Sequence, residues 1–181
     1  MAVDIPKLRE SIFWNKKIDR AVRSHDTNKS GDISRADFLL IRERYKSLGT
    51  STPQHIELLT RHQSAILERL HLDDESVRLS YAELKEKMIE DLANVPSYEA
   101  FIESMFQNLD MNGDGVISFE DWKAHYYCTG VDQAHARASF GAMDANGDGV
   151  VSKEEFLKFH CEYFFTADNK LGSSILYGPL E

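Results

Sequence analysis

Three stretches of twelve residues repeat one pattern of oxygen-bearing side chains, and nothing else in the 181-residue chain restricts its fold as tightly. Across 110–121, Asp110, Asn112, Asp114, Ser118 and Asp121 stand at positions 1, 3, 5, 9 and 12, with Gly115 at position 6. Alternate oxygens at the start of such a loop wrap a hard cation, and the sixth residue makes a sharp turn. The seventh, here Val116, lends its backbone carbonyl, and the twelfth closes the far side from the first turn of the next helix. Residues 144–155 repeat the pattern as Asp144, Asn146, Asp148, Gly149, Val150, Ser152 and Glu155. Residues 26–37 repeat it as Asp26, Asn28, Ser30, Gly31, Asp32, Ser34 and Asp37, with Asp32 serving through its carbonyl and Ser30 replacing a carboxylate.

This is the spacing of an EF-hand calcium loop. A fourth copy at 71–83 has decayed. Counted back from Glu83 as position 12, Leu72 falls at position 1 and Val77 at position 6, where a ligand and a glycine are required. No cation cage closes there, yet Ser80 and Glu83 keep the capping-box pattern that starts a helix. Position 8 is apolar throughout, as Ile33, Leu79, Ile117 and Val151, so the loops are expected to pair through short two-stranded links, first with second and third with fourth.

Between the loops the apolar spacing is helical. Leu8, Ile12, Phe13, Ile18 and Val22 predict one helix over 7–25, and further helices are predicted over 35–48, 53–70, 80–93, 119–129, 132–143 and 152–166, with one carrying Phe101, Ile102, Met105, Phe106 and Leu109 into the loop at 110. Asn94-Val95-Pro96 is the best candidate for a boundary between two lobes. The chain therefore reads as all-α, with four EF-hands in two pairs forming a compact globule. An N-terminal pair (1–94) carries the loops 26–37 and 71–83, a C-terminal pair (95–166) carries 110–121 and 144–155, and a tail (167–181) packs on the core.

Asp37 and Asp121 close their loops with an arm one methylene shorter than that of Glu155. Fewer ligating oxygens suit the compact, six-coordinate demands of Mg2+, so 26–37 and 110–121 are expected to be mixed calcium/magnesium sites and 144–155 the more calcium-selective one. Three bound divalent ions would cut the formal charge from -9 to -3. That acidic surface disfavours nucleic acid and anionic membrane as partners and favours cations. No run of residues is long and apolar enough to span a bilayer, and the opening Met-Ala-Val-Asp-Ile-Pro-Lys lacks a signal-peptide pattern, so a cytoplasmic monomer is expected. Cys128 and Cys161 stand alone, outside any zinc or redox spacing, and no catalytic motif appears, so no enzyme activity is expected. Five scattered methionines, Met1, Met88, Met105, Met111 and Met143, argue for a buffer with a closed core rather than a sensor with a Met-rich groove.

These loops, the degenerate second hand, the closing aspartates and the aromatic ending Glu162-Tyr163-Phe164-Phe165 with Leu176-Tyr177-Gly178-Pro179-Leu180 resemble the invertebrate sarcoplasmic calcium-binding proteins over essentially the whole chain. The resemblance implies two EF-hand pairs facing each other, a C-terminal tail tucked into the core and Ca2+/Mg2+ buffering in the cytosol. Calexcitin-like signalling proteins and the coelenterazine-binding proteins and photoproteins share the architecture, which leaves a calcium sensor and a luciferin carrier as alternatives. In the photoprotein pattern His160 and Tyr177 fit the His and Tyr slots, but Phe164 stands in the Trp slot and has no indole N–H to donate. Core packing is the simpler role for His160, Trp122, Tyr126, Phe164 and Tyr177, and His125 is expected at the surface or the edge of the core.

Overall fold

The structure, a computed structural model, describes residues 3–170 and 172–180, so Met1 lies outside the described residues. Its helices run in chain order as α1 (Ile5–Arg9), α2 (Ile12–Arg23), α3 (Arg35–Ser47), α4 (Pro53–Leu70), α5 (Tyr81–Leu92), α6 (Val95–Leu109), α7 (Phe119–Thr129), α8 (Ala136–Met143) and α9 (Lys153–Phe165). Two short strands, β1 (Ile117–Ser118) and β2 (Val150–Val151), pair antiparallel with Ile117 opposite Val151. Ile33 and Leu79 form the matching bridge between the first and second loops, with N–H···O bonds of 2.8 and 2.9 Å. The position-8 pairing read from the sequence is thus present in both pairs.

Where the helices differ from expectation, a cap is the cause. The predicted helix over 7–25 is two, because the Ser11 hydroxyl accepts the Trp14 N–H at 3.2 Å and starts a new helix. The break turns Ile12 out to solvent at 79 % exposure and buries Trp14 instead, so Ile12 is not part of the core face. The Asp132 carboxylate caps the Ala134 N–H, and 133–135 forms a 3-10 turn before α8 rather than part of one helix over 132–143. Only Ala93 and Asn94 separate α5 from α6, and Pro96 sits within the first turn of α6, where its missing N–H costs nothing.

One apolar cluster runs through both halves, from Ile5, Trp14 and Ile18 through Leu84, Ile102 and Trp122 to Phe156, Tyr163 and Leu176. The tail joins it: Leu176 is buried, its carbonyl accepts the Tyr126 hydroxyl at 2.7 Å, and Tyr177 packs edge-on against Tyr163. Cys128 is buried and Cys161 half-buried, both as free thiols. Among the described residues no helix is long and apolar enough to cross a membrane.

Candidate metal centres and an interior cavity

Each predicted loop begins with an aspartate whose carboxylate gathers the backbone N–H groups of its own turn. Asp110 accepts Gly113 and Asp114 through Oδ1 (2.8 and 3.1 Å) and Gly115 through Oδ2 (2.8 Å). Asp144 accepts Gly147 through Oδ1 and Gly149 through Oδ2 (2.9 and 3.0 Å), and Asp26 accepts Ser30 and Gly31 at 3.0 Å each. The position-3 asparagines turn inward: Asn28, Asn112 and Asn146 accept the N–H of position 5 at 2.8, 3.1 and 2.8 Å. Asp114 and Asp148 each accept from the amide of that asparagine and from the N–H of Val116 or Val150. In the first loop Ser30 donates its hydroxyl to the Asp32 carbonyl and carboxylate at 3.2 and 3.0 Å.

The position-6 glycines show why the turn is sharp. Gly31, Gly115 and Gly149 have φ of +93°, +88° and +90°, and open space surrounds the place a Cβ would take. Backbone conformation rather than crowding is what demands glycine.

Position 12 has two tasks. Asp37, Asp121 and Glu155 all accept the N–H and hydroxyl of the position-9 serine, closing capping boxes at α3, α7 and α9. Glu83 does the same with Ser80 at α5, so the box survives where the cation loop has decayed. The second oxygen distinguishes the loops. Glu155 Oε1 reaches back to the N–H groups of Ala145 and Asn146 (3.0 and 3.3 Å), and Asp37 Oδ1 reaches the Asn28 N–H (3.1 Å), while among the described residues no such bond joins Asp121 to the front of its loop. These bonds hold Glu155 below the usual carboxylate range, the Ser152 N–H contributing most.

The donor set of each loop is therefore aspartate or glutamate mixed with amide, hydroxyl and carbonyl oxygens, as hard divalent cations prefer. Among the described residues no three His, Cys, Asp or Glu side chains converge into one ligand group, and one oxygen of each position-12 carboxylate is engaged by its helix cap. The second loop departs altogether. His71 takes a left-handed conformation (φ 59°), and Leu72 turns into the core with no exposed surface, so the residue counted as position 1 is packing.

A cavity of about 450 Å³, partly open to the surface, is lined mainly by α3 to α7, with Phe164 and Tyr177 on its wall. Three of its polar lining residues, Gln63, Asn108 and Tyr98, are at least nine-tenths buried and each leaves an atom unpaired. Gln63 donates to the Phe38 carbonyl (2.9 Å) and Asn108 to that of Ser104 (2.8 Å), while Gln63 Oε1, Asn108 Oδ1 and the Tyr98 hydroxyl have no protein partner. His125 is half-buried at the edge of the core, where it lines this cavity, and burial pushes its imidazole down to about 3. His62, on the same wall, is pushed down to about 4, again by burial.

The aromatic residues singled out from the sequence pack as a core. Trp122 and Tyr126 both donate to Ser139 Oγ, at 2.8 and 2.7 Å, and His160 donates through Nδ1–H to the Phe156 carbonyl at 2.8 Å. Gln63, Tyr98 and Asn108 escaped notice because single polar residues inside apolar helices look unremarkable. The four-residue steps Leu59, Gln63, Leu67 do place Gln63 on a buried face, and that was the available signal.

Loop geometry and helix pairing together define an EF-hand architecture. Residues 99–160 match the family described as EF-hand domain pair. No curated protein matches by sequence. Among solved structures, the chain is similar to the coelenterazine-binding protein of Renilla muelleri in its calcium-loaded apo form, at 22% identity over 93% of this chain and 96% of that one, with a TM-score of 0.78. A calcium-binding protein of Streptomyces coelicolor is 21% identical over 84% and 98% of the two chains, with a TM-score of 0.63. The ctenophore photoprotein berovin, described with magnesium in all three calcium-binding loops, is 15% identical over 82% and 87%, with a TM-score of 0.60.

Proposed function

We propose that this is a calcium-binding protein with three cation loops, 26–37, 110–121 and 144–155, acting as a cytoplasmic Ca2+/Mg2+ buffer of the sarcoplasmic type. One observation carries the reading: in all three loops the position-1 aspartate and position-3 asparagine are already fixed by the backbone of their own turn, whereas in 71–83 a buried leucine replaces the first ligand. A preset cage loses less freedom when the ion arrives. The first-loop ligands would be Asp26, Asn28, Ser30, Asp32 and Asp37. The second set would be Asp110, Asn112, Asp114, Val116 and Asp121, and the third Asp144, Asn146, Asp148, Val150 and Glu155. When bound, the ion supplies charge neutralisation, and the residues supply its oxygen shell. Calorimetric titration should give three Ca2+ per chain, with Mg2+ competing at the two Asp-closed loops; a smaller stoichiometry, or indifference to Mg2+, would overturn it.

A second reading is favoured by the cavity: a calcium-controlled carrier of one small apolar ligand. A buffer has no use for a cavity of about 450 Å³ whose lining residues include three with unpaired polar atoms, and the Renilla muelleri structure with the same fold is named for binding coelenterazine. Adding coelenterazine to the calcium-free protein tests it. One equivalent bound, and released on calcium addition, supports a carrier. No binding leaves the buffer, and hydrophobic-dye binding that rises sharply with calcium would instead point to a sensor.

A further inference from the structure

Asp26 differs from its counterparts Asp110 and Asp144 in one contact. All three accept backbone N–H groups of their own loop, but Asp26 Oδ2 also accepts the hydroxyl of Tyr81 at 2.7 Å, across the pair from the hand that has lost its cation site. Tyr81 is the first residue of α5, two positions beyond the Ile33–Leu79 bridge and next to the capping residue Ser80, so both neighbours fix its direction. The Arg23 guanidinium lies 4.8 Å from its ring centre and holds the ring's face. In the second pair the equivalent residue on the fourth loop is Lys153, which pairs with Glu103 at 3.0 Å and supplies no hydroxyl to Asp110.

With Ser30, Gly31 and Tyr81 bound, three of the roughly four acceptor directions of the Asp26 carboxylate are filled. The carboxylate is oriented on both oxygens before any cation arrives, within a residue only 3 % exposed. We infer that Tyr81, supplied by the cation-free hand, is a positioning residue for the first cation site, fixing Asp26 and so setting the affinity of 26–37 apart from that of the other two loops. The inference rests on the proposal that 26–37 binds a cation, and it gives the degenerate hand a task besides packing.

The test is Tyr81→Phe in the full chain, which keeps the ring against Arg23 and removes only the hydroxyl. The amides of Gly31, Gly115 and Gly149 each donate to the first aspartate of a different loop, so their NMR signals follow the three sites separately during a Ca2+ titration. The variant should lose about tenfold to a hundredfold in affinity at the Gly31 signal alone, the scale of one hydrogen bond to a charged group. Asp26→Asn should remove the effect of a subsequent Tyr81→Phe, an outcome that a packing defect would not produce. Unchanged Gly31 behaviour, or equal shifts at all three glycines, overturns the inference alone. A wild type whose Gly31 signal never responds to Ca2+ overturns the first cation site and the inference with it.

Discussion

Trp14 donates its indole N–H to the carbonyl oxygen of Phe164 at 2.7 Å, joining the helix that enters the first loop to the helix that leaves the last. Two more bonds run along the same seam: the Tyr163 hydroxyl donates to the Lys17 carbonyl at 2.6 Å, and Lys17 Nζ donates to the Thr166 carbonyl at 2.7 Å. The ammonium thereby caps the C-terminal end of α9, where the helix dipole favours a cation. Trp14→Phe removes the bond at a residue with no exposed surface and leaves both an unpaired carbonyl and a small void. It should cost about 2–3 kcal/mol in chemical denaturation, while cation stoichiometry stays unchanged.

The closing residues predict an order among the loops that arm length alone does not. Asp37 spans its loop to the Asn28 N–H despite its short side chain, whereas among the described residues Asp121 makes only its capping contacts. Asp121→Glu should therefore raise Ca2+ affinity and selectivity over Mg2+ at 110–121 by roughly tenfold, since Glu can give two oxygens. Asp37→Glu should gain less, because it must repack a completely buried position that already spans. Calorimetry of the two variants in the presence and absence of Mg2+ compares them directly; a larger gain at Asp37 would refute the order.

How much of this was legible in the sequence differs between the loops and the interior. Oxygen spacing, position-6 glycines and position-8 apolar residues are local patterns, and they gave the three candidate loops and both loop-to-loop links, down to Ile33 opposite Leu79 and Ile117 opposite Val151. The break at Ser11 was missed because a serine inside an apolar period is silent until its hydroxyl finds an N–H. The cavity was reachable only through the family resemblance, for another reason. It is bounded by residues from six helices and the tail, and no single stretch of sequence carries the gap between them. Tyr81 falls between these cases, since its position in the degenerate hand is readable but its partner Asp26 is 55 residues away.

Buried histidines make the fold sensitive to mild acid. His160 has no exposed surface, and burial pushes its imidazole down to about 4 from an ordinary 6.5. A histidine with a lowered folded pKa takes up its proton only on unfolding. Its cost is therefore absent above the unfolded pKa and grows as pH falls towards the folded one. His160→Leu also removes the unpaired Nε2. The variant should flatten the pH dependence of the unfolding free energy between about pH 6 and about pH 5 by close to one proton, about 1.4 kcal/mol per pH unit. An equal change in unfolding free energy between the two pH values for wild type and variant would show that His160 titrates normally in the folded protein.

Tyr98 separates the two uses of the interior. Tyr98 lines the cavity, its ring packs edge-on against Phe164 and Phe165, with centroids 5.3 and 5.1 Å apart, and its buried hydroxyl has no protein partner. A buried hydroxyl that finds no partner weakens the folded state, so Tyr98→Phe should leave the ligand-free protein as stable as the wild type or more stable by up to about 1 kcal/mol. If the cavity holds a ligand, the same hydroxyl becomes one of the few polar groups able to orient it, and Tyr98→Phe should weaken coelenterazine binding by about fivefold or more. Denaturation without ligand and a fluorescence titration with it read the two effects apart. A variant destabilised by more than about 1 kcal/mol would mean that the hydroxyl already has a partner, such as an ordered water, and would remove it from the set of free anchors.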